Sequence, residues 1–230
     1  MDYGKTLIVG DVHGDFGRLN TFVNKKKPAI ILSVGDFGFW PRITERITAK
    51  REFAGKPRGP KIPEGCKLYW CDGNHEDHDE LVDRTTDEFW PNTKYMDRGK
   101  TLTLPDGRVV LFMGGALSID RHHRIEGGGN YGWFPREQVR ESDVMDLDVG
   151  KIDIVISHTC PTEFDVPTRY EYVDSSRLAL SYILHTYKPT QWYCGHWHHY
   201  CSGSYQGCEW TAMGRFDAPG PGGWVKLGKI

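Results

Sequence analysis

The sequence predicts an α/β fold built on a buried sheet, and three observations carry that prediction. Six short apolar runs rich in β-branched and aromatic residues recur along the chain. Helical patterns lie between several of them, and the runs often end in Gly, Asp, Asn or His. A strand buried on both faces stays apolar at consecutive positions, whereas a half-exposed one alternates. Strands that alternate with helices imply a sheet with helices laid against it.

The first run spans residues 6–9. Phe16, Leu19, Phe22 and Val23 then share one helical face, and that helix should stop near Pro28. The second run, 30–34, precedes a loop-like stretch at 50–64 rich in Lys, Arg, Gly and Pro. The third and fourth runs occupy 68–71 and 109–113, followed by a second loop-like stretch at 119–133. Pro135 is placed to start a helix containing Val139 and Val144. After the fifth run, 154–157, Asp174 or Ser175 can cap a helix carrying Leu178, Tyr182 and Ile183, which must end before Pro189. The sixth run is 191–194. Beyond His199, short aromatic pieces with Gly turns read as closing antiparallel strands. No internal repeat or linker divides the chain, so 1–230 is expected to be a single domain.

Composition narrows the function classes. A hydrophobic content of 38% is that of a folded globule, and 230 residues can bury one sizeable core. A formal charge of −2 gives no global attraction to nucleic acid or anionic lipid. No apolar run approaches the roughly 18 residues of a membrane helix. The first residues lack the basic start and apolar core of a secretory signal, so the expected compartment is the cytoplasm. The six cysteines form no Cys-x-x-Cys pair, which argues for free, mostly buried thiols rather than structural zinc.

The chemistry gathers where the runs end. Gly10-Asp11-Val12-His13-Gly14 follows the first, Gly35-Asp36 the second and Gly73-Asn74-His75-Glu76 the third. His158 follows the fifth, and Gly195-His196-Trp197-His198 the sixth. In an α/β sheet the carboxyl ends of the strands form one rim, where ligands bind. Imidazole and carboxylate without thiolate suit Mn²⁺, Fe, Zn²⁺, Co²⁺ or Ni²⁺. Seven donors exceed one tetrahedral site and suit two metals with open positions, which lie roughly 3.5–4 Å apart when a carboxylate bridges them. A glycine before Asp11, Asp36, Asn74 and His196 would let the chain turn sharply to aim each side chain at the rim.

This ordered set of five blocks, from residue 10 to 198, resembles the signature of the calcineurin-like metallophosphoesterases. The resemblance implies a sandwich of two mixed β-sheets flanked by α-helices. It implies that Asp11, His13 and His198 hold one divalent metal, that Asn74, His158 and His196 hold another, and that Asp36 bridges them. Mn²⁺ stands first among candidates that include Fe, Zn²⁺, Ni²⁺, Co²⁺ and Mg²⁺. By the same resemblance, a water activated between the ions attacks a phosphate ester in line, and His75 protonates the leaving oxygen as general acid. The Ser/Thr protein phosphatases continue their second block as Gly-Asp-x-x-Asp-Arg-Gly. Here it reads Gly35-Asp36-Phe37-Gly38-Phe39-Trp40, which weakens that branch. The chain looks closer to small bacterial and phage phosphoesterases. The expected activity is a phosphodiesterase on small substrates such as 2′,3′-cyclic nucleotides, with some monoesterase activity. The alternatives are a protein or general phosphomonoesterase, a nuclease, and a non-catalytic metal-binding scaffold.

Other residues divide between function and bland packing. Residues 118–124 carry Arg121, His122, His123 and Arg124, and Arg121 or His122 could grip a substrate phosphate. The same residues read equally well as a solvated turn. Gly127, Gly128 and Gly129 are no P-loop, because no Lys-Ser/Thr follows. Lys50, Arg51, Lys56, Arg58 and Lys61 could touch nucleic acid but read better as solvated surface. Trp40, Trp90 and Trp133 could stack a base, although core packing is the better reading for most tryptophans here. His78, His123, His185 and His199 match no ligand position and read as structural or surface.

Overall fold

The computed structural model describes residues 5–41, 59–124, 132–167, 173–217 and 222–228. Within them all six apolar runs are strands: β1 (Thr6–Val9), β2 (Ile30–Ser33), β3 (Lys67–Trp70), β6 (Val109–Met113), β7 (Ile154–Ser157) and β8 (Gln191–Cys194). Two short strands, β4 (Thr93–Tyr95) and β5 (Thr101–Thr103), lie between β3 and β6. Beyond His199 come β9 (Cys201–Tyr205), β10 (Cys208–Ala212) and β11 (Trp224–Lys226).

The strands make two mixed sheets, as the resemblance implied. The first has the order β11-β1-β2-β3-β4, parallel except for β11. The second has the order β5-β6-β7-β8-β10-β9, with antiparallel partners at both edges. The expected closing antiparallel strands are present: β9 and β10 form a hairpin, and β11 pairs back onto β1.

Alternation along each strand sorts its side chains into three apolar layers. Ile8, Leu32, Val110, Phe112, Ile154, Ile156 and Tyr193, drawn from both sheets, pack together between them. Val9, Ile31, Leu68 and Trp70 face outward from the first sheet onto α1 (Phe16–Lys26), which contributes Phe16, Leu19 and Val23. Leu111, Val155, Trp192 and Cys194 face outward from the second sheet onto α4 (Ser175–Tyr187). At about 1.5–3 kcal/mol per buried large apolar side chain, the middle layer fixes one sheet firmly against the other.

Helix ends follow the sequence signals. Asp15 caps α1 by accepting from the Arg18 N–H, and Lys27 ends it in a left-handed conformation just before Pro28. Asp174 caps α4, which closes at Lys188 before Pro189. Two details differ from expectation. Leu178 and Tyr182 are exposed, because α4 turns Ala179, Leu180, Ile183 and Leu184 to the core. With Val144 and Met145 of α3 (Glu141–Met145), they line an open groove of about 620 Å³. The helix expected from Pro135 is broken into a single 3₁₀ turn, Pro135–Glu137, and the separate α3. The Arg98 guanidinium donates to the carbonyls of Arg136, Glu137 and Gln138, and the Val139 N–H donates to Ser176 Oγ, so these groups are not free for a helical ladder.

Candidate metal centre

Each ligand candidate lies within a few residues of a strand's carboxyl end. Asp11 follows β1, Asp36 follows β2, Asn74 follows β3, His158 directly follows β7 and His196 follows β8. The rim expected of one sheet is therefore assembled from two. The first sheet supplies Asp11, His13, Asp36 and Asn74, and the second supplies His158, His196 and His198. Backbone bonds tie neighbouring strand ends within each sheet: the His13 N–H donates to Asp36 O at 2.7 Å in the first, and the Gly195 N–H to His158 O at 2.8 Å in the second.

The side chains meet in two groups. Asp11, His13, Asp36 and His198 each aim one donor atom at a space where all four lie within 4.8 Å of one another. His13 Nε2 and His198 Nε2 are 3.1 Å apart, and His198 Nε2 is 3.3 Å from Asp11 Oδ2. In the second group, Asn74 Oδ1 lies 3.1 Å from His158 Nε2 and 3.0 Å from His196 Nδ1. Asp36 Oδ1 lies 3.3 Å from His158 Nε2, and Asp36 Oδ2 lies 3.8 Å from His13 Nε2. Asp36 thus stands between the two groups.

The local backbone explains the aim. His13, Asp36, His196 and His198 all have left-handed φ values of 42–69°. Of the glycines expected to allow sharp turns, Gly35 does so at φ 106°. Gly73 and Gly195 serve a different need, which is room. A Cβ at either would stand 2.0 Å from a carboxylate oxygen, that of Asp36 or Asp11 respectively.

Outer contacts orient the donors. His158 Nδ1–H donates to Val34 O at 2.9 Å, which leaves Nε2 for the cluster. Asn74 Nδ2–H donates to Ser118 Oγ at 2.9 Å, which turns Oδ1 toward the imidazoles. Ser118 is held in turn by Glu137 Oε1, which accepts from its N–H at 2.9 Å. Glu76 accepts from the N–H groups of Gly38 and Gly73, and His78 Nε2–H donates to Gly73 O at 3.0 Å. His78 is thus structural, as read from sequence.

The electrostatics are those of a site that takes up positive charge. Burial disfavours the charged forms of Asp36, His158 and His196. Even so, the imidazoles of His158, His75 and His13 hold the Asp36 carboxyl well below the usual range. Burial lowers His158, but Asp36 and Asp11 outweigh it and push the imidazole up to about 10. Burial also raises Glu76 to about 8, with Asp36 adding to the rise. Asp11 Oδ1 is buried without a hydrogen-bond partner among the described residues, which is the position of an oxygen awaiting a cation. With nitrogen and oxygen donors converging and no thiolate among them, the residues fit divalent metal ions.

His75 stands beside the centre. Its N–H donates to Asp36 Oδ1 at 3.0 Å, and its ring meets that of His13 edge-on at 5.7 Å. Trp40 Nε1–H donates to His75 O, so that tryptophan braces the site. Trp90 packs among Phe16, Phe37 and Phe39. In the 118–124 loop the side chain against His75 is Arg124, while Arg121 is partly buried and His122 exposed on a 3₁₀ turn. The basic stretch from Lys50 to Arg58 and glycines 127–129 lie outside the described residues.

Sequence reading missed Ser118, Glu137 and Arg124 as parts of this site. Only Arg124 left a trace, in its i,i+4 spacing from Asp120. Nothing in the spacing of Glu137 points across the fold to Asn74.

The model of the calcineurin-like phosphoesterase family matches residues 4–200, and the chain belongs to that family. Its members are metal-dependent hydrolases of phosphoric esters, and this chain is one of that class. No curated protein matches the sequence. Among solved structures, one crystal structure is 15% identical with a TM-score of 0.58, covering 93% of this chain and 91% of its own. TT1561 of Thermus thermophilus is 13% identical with a TM-score of 0.50, covering 91% and 88%. Phosphopantetheinyl hydrolase from Mycobacterium tuberculosis is 13% identical with a TM-score of 0.49, covering 97% and 96%. At such identities the first two likenesses speak to the fold alone, and the third carries no argument.

Proposed function

We propose that the protein is a two-metal phosphodiesterase acting on small substrates such as 2′,3′-cyclic nucleotides, with some activity on monoesters. The observation that carries this reading is the meeting of two donor groups at Asp36, with His75 bonded to that same carboxylate. In it Asp11, His13 and His198 would hold one divalent ion, Asn74, His158 and His196 would hold the other, and Asp36 would be shared. When bound, the ions supply Lewis acidity to phosphoryl oxygens and lower the pKa of a water. The chain's own residues do the rest. The oriented imidazoles and carboxylates fix where the phosphoryl group must sit, which supplies the proximity term. His75, fixed through its backbone N–H by Asp36 and through its carbonyl by Trp40, holds a proton at its ring for the leaving oxygen.

Bis-p-nitrophenyl phosphate and p-nitrophenyl phosphate, assayed side by side with Mn²⁺, test the reading. The diester should be the better substrate, and a panel of cyclic nucleotides should contain the best one. His75→Ala should keep two metals per chain by elemental analysis and lose about 10²- to 10⁴-fold in turnover of a substrate with a poor leaving group. Turnover of the monoester alone would make the protein a phosphomonoesterase. Two bound metals with no hydrolysis of either ester would make it a scaffold.

A further inference from the structure

Arg124 is buried in an unusual way. Its side chain is only 7% exposed, yet its one ion pair among the described residues is to Asp120, whose own side chain is 51% exposed. The Asp120 contact, at 2.8 Å, uses one terminal nitrogen. Nε is buried with no partner among the described residues. The two terminal nitrogens lie 3.4 and 3.3 Å from Nδ1 and Nε2 of His75. A neutral imidazole offers one acceptor nitrogen and an imidazolium none, so at most one of those two approaches is a hydrogen bond. A guanidinium carries five donors, and burying its charge is costly unless they are met. Among the described residues Nε–H has no partner, and the terminal nitrogens meet only Asp120 and the His75 ring, on a side chain held at the edge of the metal centre.

The missing partner has a definite chemistry. It must be anionic, carry several acceptor oxygens and lie on the His75 side of the centre. A phosphoryl group fits, because its oxygens match the guanidinium fork. We propose that Arg124 grips the phosphoryl group of the substrate, and that Asp120 holds the guanidinium in place until the substrate takes it over. This deepens the function proposed above and rests on it. It assigns the phosphate contact to Arg124, four residues beyond Asp120, instead of Arg121 or His122.

Inorganic phosphate is the probe, titrated by calorimetry into the Mn²⁺-loaded protein. Arg124→Ala should weaken phosphate affinity by roughly 10- to 100-fold, the loss expected for charge-assisted bonds. Arg124→Lys should recover part of it, because it restores the charge without the fork. Asp120→Asn separates a phosphate grip from a structural role. If Asp120 competes with phosphate for Arg124, this variant should bind phosphate as tightly as wild type or more tightly. If Arg124 and Asp120 merely brace the loop, both variants should weaken binding alike, and that result overturns the proposal. Thermal melts of each variant identify any that fails to fold, and Arg124→Lys then carries the test. Wild-type turnover of either nitrophenyl ester with unaltered phosphate affinity in Arg124→Ala would sink this inference alone. Loss of both turnover and phosphate binding in the wild type would sink it together with the function on which it rests.

Discussion

At the residue scale, the site is made by backbone that most side chains avoid. Four of the seven ligand candidates, His13, Asp36, His196 and His198, adopt left-handed φ, at a cost of about 1 kcal/mol or more each. Other non-glycine residues with positive φ have ordinary reasons. Lys27 and Lys188 end helices, and Gln206 turns the β9–β10 hairpin. The strain at the ligands is held by the cross-bonds between strand ends, and its effect is to turn the side chains inward. On the side away from the imidazoles, the Asn74 amide is oriented by the bond from its Nδ2–H to Ser118 Oγ. Ser118→Ala should therefore lower Mn²⁺ affinity at one of the two sites by roughly 10- to 100-fold and leave the other unchanged. Equilibrium dialysis with metal analysis reads both sites.

At the element scale, the broken helix at 135–145 shows a local preference overruled by tertiary partners. Residues 135–137 begin a turn, but Arg98, anchored on the buried Asp72, takes the next carbonyls. The extended backbone at Gln138 lets Glu137 point inward to Ser118. Burial raises the Glu137 carboxyl from its ordinary 4.5 to about 7, although the bonds from Ser118 pull it back. Between those two values the folded chain binds a proton that the unfolded chain has released. Its contribution is thus present in full below pH 4.5 and lost as pH rises through about 7, on the order of 3 kcal/mol in all. Urea titrations of the metal-free protein at pH 5 and pH 8, run beside Glu137→Gln, isolate this group, because the buried His78 and His196 act in the opposite direction in both chains. Between pH 5 and pH 8 the wild type should lose stability relative to Glu137→Gln, which is neutral at both. Glu76, raised to about 8, adds to the same slope and is untouched by the variant.

At the scale of the whole molecule, the ligand candidates draw on both sheets, so a metal held by them would tie one sheet to the other. Removing it with a chelator should lower Tm. At metal one hundred times its Kd, binding adds about 2.7 kcal/mol, which for a chain of this size is a shift of roughly 5–10 °C. A melt that ignores chelation would mean that the donors do not hold a metal in the folded state. Among the described residues no helix is long and apolar enough to cross a membrane.

Much of this was legible in the sequence. The six core strands announced themselves because burial on both faces demands consecutive apolar residues. The seven ligand candidates stood out because each follows such a strand. What remained hidden depends on contacts distant in sequence. The split of the strands into two sheets was implied by the motif resemblance but not by the apolar runs, because strand pairing sets it. Leu178 and Tyr182 looked internal because a helix's apolar pattern does not say how it is rotated when a wider apolar face competes. Ser118, Glu137 and Arg124 act across 44, 19 and 49 positions of chain respectively, through single polar contacts that leave no periodic trace. The sequence by itself determined which strands form and which side chains end them. Only the tertiary structure decided that two sheets share one rim, because that depends on how their apolar faces pack. The guanidinium that lies against His75 was likewise placed by the packing around it.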